Sequence, residues 1–299
     1  MAMRAPSPLR RAFADLVRKV DPQIDLARAA LLIAQEEYPA LHPDHYLVRL
    51  DAIAAQVEGR LTQDGVRDPQ AAPGAAIAAL NTVLFDDLGF QRTEADYQDP
   101  RNSFLNEVLD RRIGLPITIS LVYMAVAARV GLPLSGVGLP GHFIVRSPGA
   151  ADRGPRPALQ LPEAEFFIDP YHRGILLTPA ECAAYFQRFY GPDFIFSAEY
   201  LTPLTHRQIL ARILGNLKRI YLRRRDYARA VAVVDRLLLI HPDALWELKD
   251  RGLLHYRLGA FRPAITDLRR YLKQDPDAED AQLLRYYVKL CARLLLMTN

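Results

Sequence analysis

Apolar residues recur at helical spacing through the first hundred or so positions of the chain. The pattern predicts helices over residues 25–37, 45–61, 73–88 and 103–111. In 25–37 and 45–61 the apolar residues recur at the spacing expected for helices packed on a core. The N-terminal part is therefore predicted to be helical.

A different pattern begins at Pro116. Residues 116–130 are apolar nearly all round, which predicts a helix buried inside a domain. Pro116 suits the first helical position, and Gly131 suits the left-handed residue after the end. Four short strand-like runs follow, at 134–139, 142–146, 158–161 and 166–169. A buried helix on a small antiparallel sheet is an α+β core.

The C-terminal third contains a repeat of 34 residues. Ala230 matches Ala264, and Pro242 matches Pro276. This period, with a small residue in the second helix and a closing proline, is typical of tetratricopeptide repeats. Residues 280–297 form an apolar helical pattern that suits a capping helix. We predict two domains, 1–200 with the helical part and the α+β core, and 201–299 with the repeats.

Composition fits a globular protein, with 50% apolar and 24% charged residues among 299. No apolar run approaches the ~20 residues that cross a bilayer, and the N-terminus lacks a signal-peptide pattern. We expect a cytoplasmic protein with no membrane contact. Cys182 and Cys291 lie far apart in apolar helical patterns and have no metal-type spacing, so two buried free thiols are expected. No metal and no cofactor are predicted.

The net charge of +4 is unevenly distributed. Residues 205–236 hold nine Lys/Arg and two Asp, which gives +7 for the segment and −3 for the remainder. A solvated helical face would explain this excess, and a contact for an acidic partner would explain it too. Nucleic acid is disfavoured because aromatic residues do not alternate with the basic ones. The predicted partner-binding residues of this basic segment are Arg219, Arg223, Arg224 and Arg225.

Catalytic chemistry is suggested by His142 and Asp169. His142 opens one predicted strand and Asp169 closes another, downstream of the buried helix. Papain-like folds present a Cys-His-Asp triad in this order, with the thiol at the start of the helix, the histidine as base and the third residue orienting it. Here no cysteine stands near Pro116.

Several motifs carry a resemblance to a known family. They are Glu37-Tyr38-Pro39, Asn81 with Leu88-Gly89-Phe90, Asn102-Ser103-Phe104-Leu105, Gly114-Leu115-Pro116-Ile117, Gly131-Leu132, Pro140-Gly141-His142-Phe143 and Ile168-Asp169-Pro170. With them the chain resembles the bacterial SirB-type family, a transglutaminase-like domain with tetratricopeptide repeats. The resemblance extends over roughly residues 20–280. It implies a papain-like α+β core, and the occurrence of this domain in some eukaryotic F-box proteins suggests an interaction module.

The resemblance also locates the missing nucleophile. Active transglutaminase-like enzymes carry Gly-x-Cys at the helix start, about fifteen residues before the Gly-Ile/Leu-Pro that follows the helix. Counting back from Gly131 leads to Pro116. Gly114-Leu115-Pro116 therefore replaces Gly-x-Cys, and proline has no nucleophilic atom.

Three hypotheses follow for this site. The preferred one is a non-catalytic protein–protein interaction module, which could be regulatory, with no oligomeric state predicted. The alternative is a hydrolase or acyl-transfer enzyme in which Thr118 or Ser120 is activated by His142 and Asp169. The third is a small-ligand or peptide pocket without chemistry. The predicted pocket residues are His142, Asp169, Asn102, Arg112, Pro116 and Tyr171.

Overall fold

A computed structural model describes residues 8–93, 97–147 and 166–297. By its contacts the chain forms two compact units. One comprises Lys19–Leu210, and the other combines the chain up to Arg18 with the chain from Ala211 onward. The domain boundary predicted between residues 200 and 201 stays a prediction. Among the described residues, none of the helices has the length and apolar character needed to cross a membrane.

Helices dominate both units, and short strands occur in the first. The helices are α1 (Pro8–Val17), α2 (Leu26–Ala34), α3 (Pro43–Gln63), α4 (Pro73–Asn81), α5 (Leu105–Arg111), α6 (Pro116–Arg129), α7 (Pro179–Tyr190), α8 (His206–Arg223), α9 (Tyr227–Ile240), α10 (Leu245–Arg257), α11 (Phe261–Gln274) and α12 (Ala281–Met297). The strands are β1 (Gln91–Arg92), β2 (Ile113–Gly114), β3 (Ser135–Leu139), β4 (His142–Arg146), β5 (Phe167–Asp169) and β6 (Ile175–Leu177).

The four helices predicted in the N-terminal part are present as α2 to α5. Their ends differ by a few residues from the predicted ones. The largest difference is in the helix predicted over 73–88. There α4 ends at Asn81, and a π-helical turn, Thr82–Asp87, continues the chain. The helix α1 was not predicted.

Helix α6 is the centre of the Lys19–Leu210 unit. It packs against the helices α2, α3 and α5 and against the strand β4. Nearly all of its side chains from Pro116 to Ala127 are buried, with Ala125 half-buried and Ala128 exposed, which confirms the predicted buried helix. Pro116 is its first residue, and Gly131 follows its end with φ +83°, a conformation that glycine adopts without strain.

The main sheet has four antiparallel strands in the order β3-β4-β5-β6. Leu139 pairs with His142 across a tight turn, and Val145 pairs with Ile168. A separate parallel pair joins β1 to β2. The predicted strand 158–161 lies outside the described residues. Strand β6 was not predicted, and it occupies one edge of the sheet.

The second unit contains the antiparallel helix pairs of the repeats and also α1. Ala230 of α9 and Ala264 of α11 are fully buried, as close helix crossing requires. A Cβ on Gly252 of α10 would lie 2.8 Å from the Leu268 side chain of α11, so these helices also approach closely there. In the same unit, α1 packs against α9.

Candidate functional site

Asp169 anchors the candidate site at the end of β5. Its backbone leads into a 3-10 turn, Pro170–His172, and its side chain caps that turn. Oδ1 accepts hydrogen bonds from the backbone N–H groups of Tyr171, at 3.1 Å, and His172, at 3.3 Å. Because Pro170 has no N–H to continue the ladder, the strand ends here with its carboxylate fixed.

The second carboxylate oxygen of Asp169 receives three donors. Oδ2 lies 2.7 Å from Nε2 of His142, 2.7 Å from Nδ1 of His172 and 3.2 Å from the Tyr185 hydroxyl. An ionised carboxylate only accepts hydrogen bonds, so these two ring nitrogens carry protons. The structure thus brings together His142 and Asp169, which the sequence suggested as a pair.

Aromatic rings hold His142 in place. Its ring stacks on that of Tyr185, with centroids 5.0 Å apart and planes within 2°. The ring of Tyr171 lies edge-on at 5.8 Å, and that of His172 lies at 5.5 Å. His142 and Asp169 are buried, whereas 35% of the His172 side chain is exposed. The cluster is therefore enclosed on most sides and reaches solvent at His172.

The cluster also sets its own charge state. Burial raises the pKa of Asp169, but hydrogen bonds and attraction from His142 and His172 outweigh it, so the pKa lies below its ordinary value. Burial, together with the neighbouring carboxylate, raises the pKa of the Tyr185 phenol to about 12. At neutral pH the site therefore contains an ionised carboxylate and a neutral phenol.

At the start of α6, the Thr118 hydroxyl is used for local structure. It donates to the Asn102 carbonyl at 2.8 Å and accepts from the Leu115 N–H at 2.9 Å. Gly114 leaves room for it, since a Cβ there would lie 2.7 Å from Thr118 Oγ1. The buried Pro116 begins the helix beside these contacts.

The Ser120 hydroxyl also faces a main-chain carbonyl. Its Oγ lies 3.5 Å from the carbonyl oxygen of Phe143, and both Ser120 and Thr118 are fully buried. A nucleophile needs its hydroxyl within hydrogen-bond reach of the base and open to a substrate. These contacts therefore oppose a nucleophilic role for either residue.

The predicted pocket residues separate into two groups. Tyr171 lies beside His142, and its hydroxyl donates to the Thr93 carbonyl at 3.1 Å. Asn102 is buried and reaches the same residue, with its Nδ2 3.4 Å from Thr93 Oγ1. Arg112 instead follows the end of α5 with φ +58°, and its guanidinium donates to the Leu88 carbonyl at 2.6 Å.

Sequence reasoning missed His172 and Tyr185. His172 follows Asp169 by three residues, and the turn that Pro170 begins brings its ring back to the carboxylate. That spacing was a usable signal, because an aspartate before a short turn commonly caps it. Tyr185 comes from α7, sixteen residues beyond Asp169, and no local pattern indicates its contact.

The basic segment lies on the repeats. Arg219 and Arg223 are on α8, Arg225 precedes α9, and these three side chains and Arg224 are exposed. Away from this segment, Cys182 and Cys291 are both buried and free.

A buried helix against an antiparallel sheet that carries a His-Asp pair, followed by antiparallel helix pairs, defines a transglutaminase-like protein with tetratricopeptide repeats. Comparison with known families agrees. Residues 44–215 match the transglutaminase-like superfamily, and residues 217–288 match a tetratricopeptide repeat. The chain belongs to the transglutaminase-like superfamily.

Its relatives include bacterial and eukaryotic proteins. A UPF0162 protein of Xylella fastidiosa is 34% identical over 268 residues, 89% of each chain. A UPF0162 protein of Pseudomonas aeruginosa is 29% identical over 268 residues, 90% of each chain. Human F-box only protein 21 is 29% identical over 184 residues, which are 60% of this chain and 28% of the human protein. No solved structure was found to match.

Proposed function

We propose that this protein is a non-catalytic transglutaminase-like protein that acts by binding a protein partner. One observation carries the proposal. The position that the resemblance assigns to the nucleophilic cysteine is Pro116, the buried first residue of α6. The neighbouring hydroxyls of Thr118 and Ser120 contact main-chain carbonyls. His142 and Asp169 then serve to join the ends of the two inner strands β4 and β5 to the turn rather than to activate a nucleophile.

The partner in this proposal is an acidic protein that binds the basic segment. Tetratricopeptide repeats commonly present a binding surface made by stacked helix pairs. The exposed cations Arg219, Arg223, Arg224 and Arg225 would speed and orient an encounter with an acidic surface. We further propose a SirB-type, regulatory role in the cytoplasm, without nucleic acid.

The binding part is tested by charge reversal. In a pull-down with the full-length chain as bait, the triple variant Arg223→Glu, Arg224→Glu, Arg225→Glu should lose its partner. The matched control reverses three exposed arginines of α11, Arg262, Arg269 and Arg270, which changes the net charge equally. Partner recovery that is unchanged in the first variant, or equally lost in both, would dismiss the basic segment as the contact.

The non-catalytic part is tested by assay. Purified protein is incubated with a glutamine-containing protein and a labelled primary amine, and separately with ester and amide substrates. We expect turnover equal to that of His142→Ala in every case. Turnover that His142→Ala abolishes, and that Thr118→Val or Ser120→Ala also abolishes, would establish the enzyme alternative instead.

A further inference from the structure

The cluster around Asp169 has the donor set of a metal centre. One nitrogen of His142, one of His172 and a carboxylate oxygen of Asp169 all lie within 4.8 Å of one another. Two imidazoles and a carboxylate are common ligands of zinc, which binds nitrogen at about 2.0–2.1 Å and carboxylate oxygen at about 2.0–2.2 Å. Metal binding would replace the two ring N–H contacts with Oδ2, because a histidine nitrogen binds a metal only after losing its proton.

The surroundings orient these ligands. Backbone N–H groups of Tyr171 and His172 hold Oδ1 of Asp169, and the Tyr185 hydroxyl reaches Oδ2. Such outer contacts fix ligand carboxylates in metal proteins, and losing them commonly weakens metal binding about 10–100-fold. The ring of His142 is fixed by stacking on Tyr185.

The enclosure favours a small coordination number. Rings of Tyr171 and Tyr185 cover His142, and the cluster opens where the His172 side chain is exposed. Three protein ligands and one water complete the tetrahedral coordination that zinc prefers. Two neutral imidazoles and one carboxylate also give a net charge of −1, which attracts a divalent cation.

We propose that His142, Asp169 and His172 bind one Zn²⁺, with water as the fourth ligand. The ligands come from β4, the end of β5 and the turn that follows, so a bound ion would tie the ends of these two strands to that turn. The proposal concerns binding and assigns no reaction to the ion.

The test is zinc titration of the full-length protein after chelator treatment, followed by calorimetry and thermal unfolding. We expect one equivalent per chain in the wild type. In His172→Gln the affinity should fall at least tenfold. The matched control is His241→Gln, an exposed histidine in the other unit, which should bind as the wild type does. Stoichiometric binding by His172→Gln with unchanged affinity, or no binding by the wild type, would overturn the proposal.

Cobalt gives a second readout of geometry. Co²⁺ in a four-coordinate site absorbs visible light much more strongly than in an octahedral one. We expect the strong spectrum in the wild type and its loss in His172→Gln, with the apo proteins unfolding at similar temperatures. A weak octahedral spectrum in the wild type would overturn the assignment to a zinc-type site.

Discussion

Arg225 and Gly259 occupy the same position in consecutive repeats, 34 residues apart, and both have a left-handed backbone, with φ of 56° and 70°. Each lies in the short connection between two helices, α8 and α9 in the first case and α10 and α11 in the second. The turn requires this conformation, which glycine adopts freely and a side chain with a Cβ does not. The first repeat therefore places a strained arginine where the second has glycine.

Replacing Arg225 by glycine should stabilise the repeats. Relief of the left-handed conformation is worth about 1–2 kcal/mol, and the greater freedom of unfolded glycine removes about 0.4–1 of it, which leaves about 0.5–1 kcal/mol. Urea unfolding of Arg225→Gly checks this. Arg219→Gly is the control, because that residue lies inside α8, where glycine should destabilise by about 1 kcal/mol. A loss of stability in Arg225→Gly would contradict the assignment of strain.

Gly174 should tolerate no side chain. A Cβ there would lie 1.9 Å from Oδ1 of Asn81, whose position is fixed by the Tyr123 hydroxyl at 3.0 Å and by its own bond to the Gly174 carbonyl. We expect Gly174→Ala to lower the free energy of unfolding by about 2–4 kcal/mol. Gly89→Ala is the control for backbone strain without a steric clash. Gly89 also has a positive φ, but a Cβ there would meet no atom within 4 Å. That variant should lose only about 1 kcal/mol.

The thiol of Cys182 should be unreactive in the folded protein. Burial, with neighbouring Glu181 and Asp169, raises its pKa to about 12, and no part of the residue is exposed. A raised pKa keeps the thiol protonated, so at pH 8 only about one in ten thousand is thiolate. Burial also raises the pKa of Cys291. A thiol reagent at pH 8 should therefore label neither cysteine until the protein is unfolded.

Ile195→Cys gives the positive control for labelling, because that side chain is 87% exposed in the same unit as Cys182. The variant should react rapidly with one equivalent of reagent. Rapid labelling of Cys182 in the wild type, located by peptide mapping, would show that the unit opens readily around α7.

Arg251 should be the most important cation of the repeats. Its guanidinium binds both oxygens of Asp267, at 2.7 and 2.8 Å, and Asp235 at 2.8 Å. Replacement by methionine leaves the buried Asp267 without this partner, so we expect a loss of about 2–4 kcal/mol in urea unfolding. Arg18→Met removes an exposed pair with Asp15 and should change stability by less than about 1 kcal/mol. Equal losses in the two variants would contradict the role of burial.

The helical spacing of apolar residues predicted most of the fold. The pattern around α6 predicted both its burial and its first residue, because a helix without a polar face has no stable place at a surface. The edge strand β6 was not predicted from the sequence. Ile175 and Leu176 are both apolar yet exposed, so apolar and polar residues do not alternate along β6 as they do in a half-buried strand.

The candidate site was predictable where its residues stand at the ends of predicted strands. His142 and Asp169 stand at strand ends, and the order of elements placed them together. The contact of Tyr185 depends on how α7 returns to the sheet, which tertiary packing decides. Arg112 was predicted to line the pocket, and this stays a prediction; its guanidinium donates to the Leu88 carbonyl from a residue with a left-handed backbone.

The pairing of α1 with α9 has a consequence for the order of synthesis. Arg10 of α1 forms an ion pair with Asp235 of α9 at 2.6 Å, and Phe13 is fully buried in the same unit. On a ribosome, α1 emerges more than two hundred residues before its partner helix. The Lys19–Leu210 unit can complete its own core in that interval. The apolar face of α1 can be buried against α9 only after the last third of the chain has been synthesised.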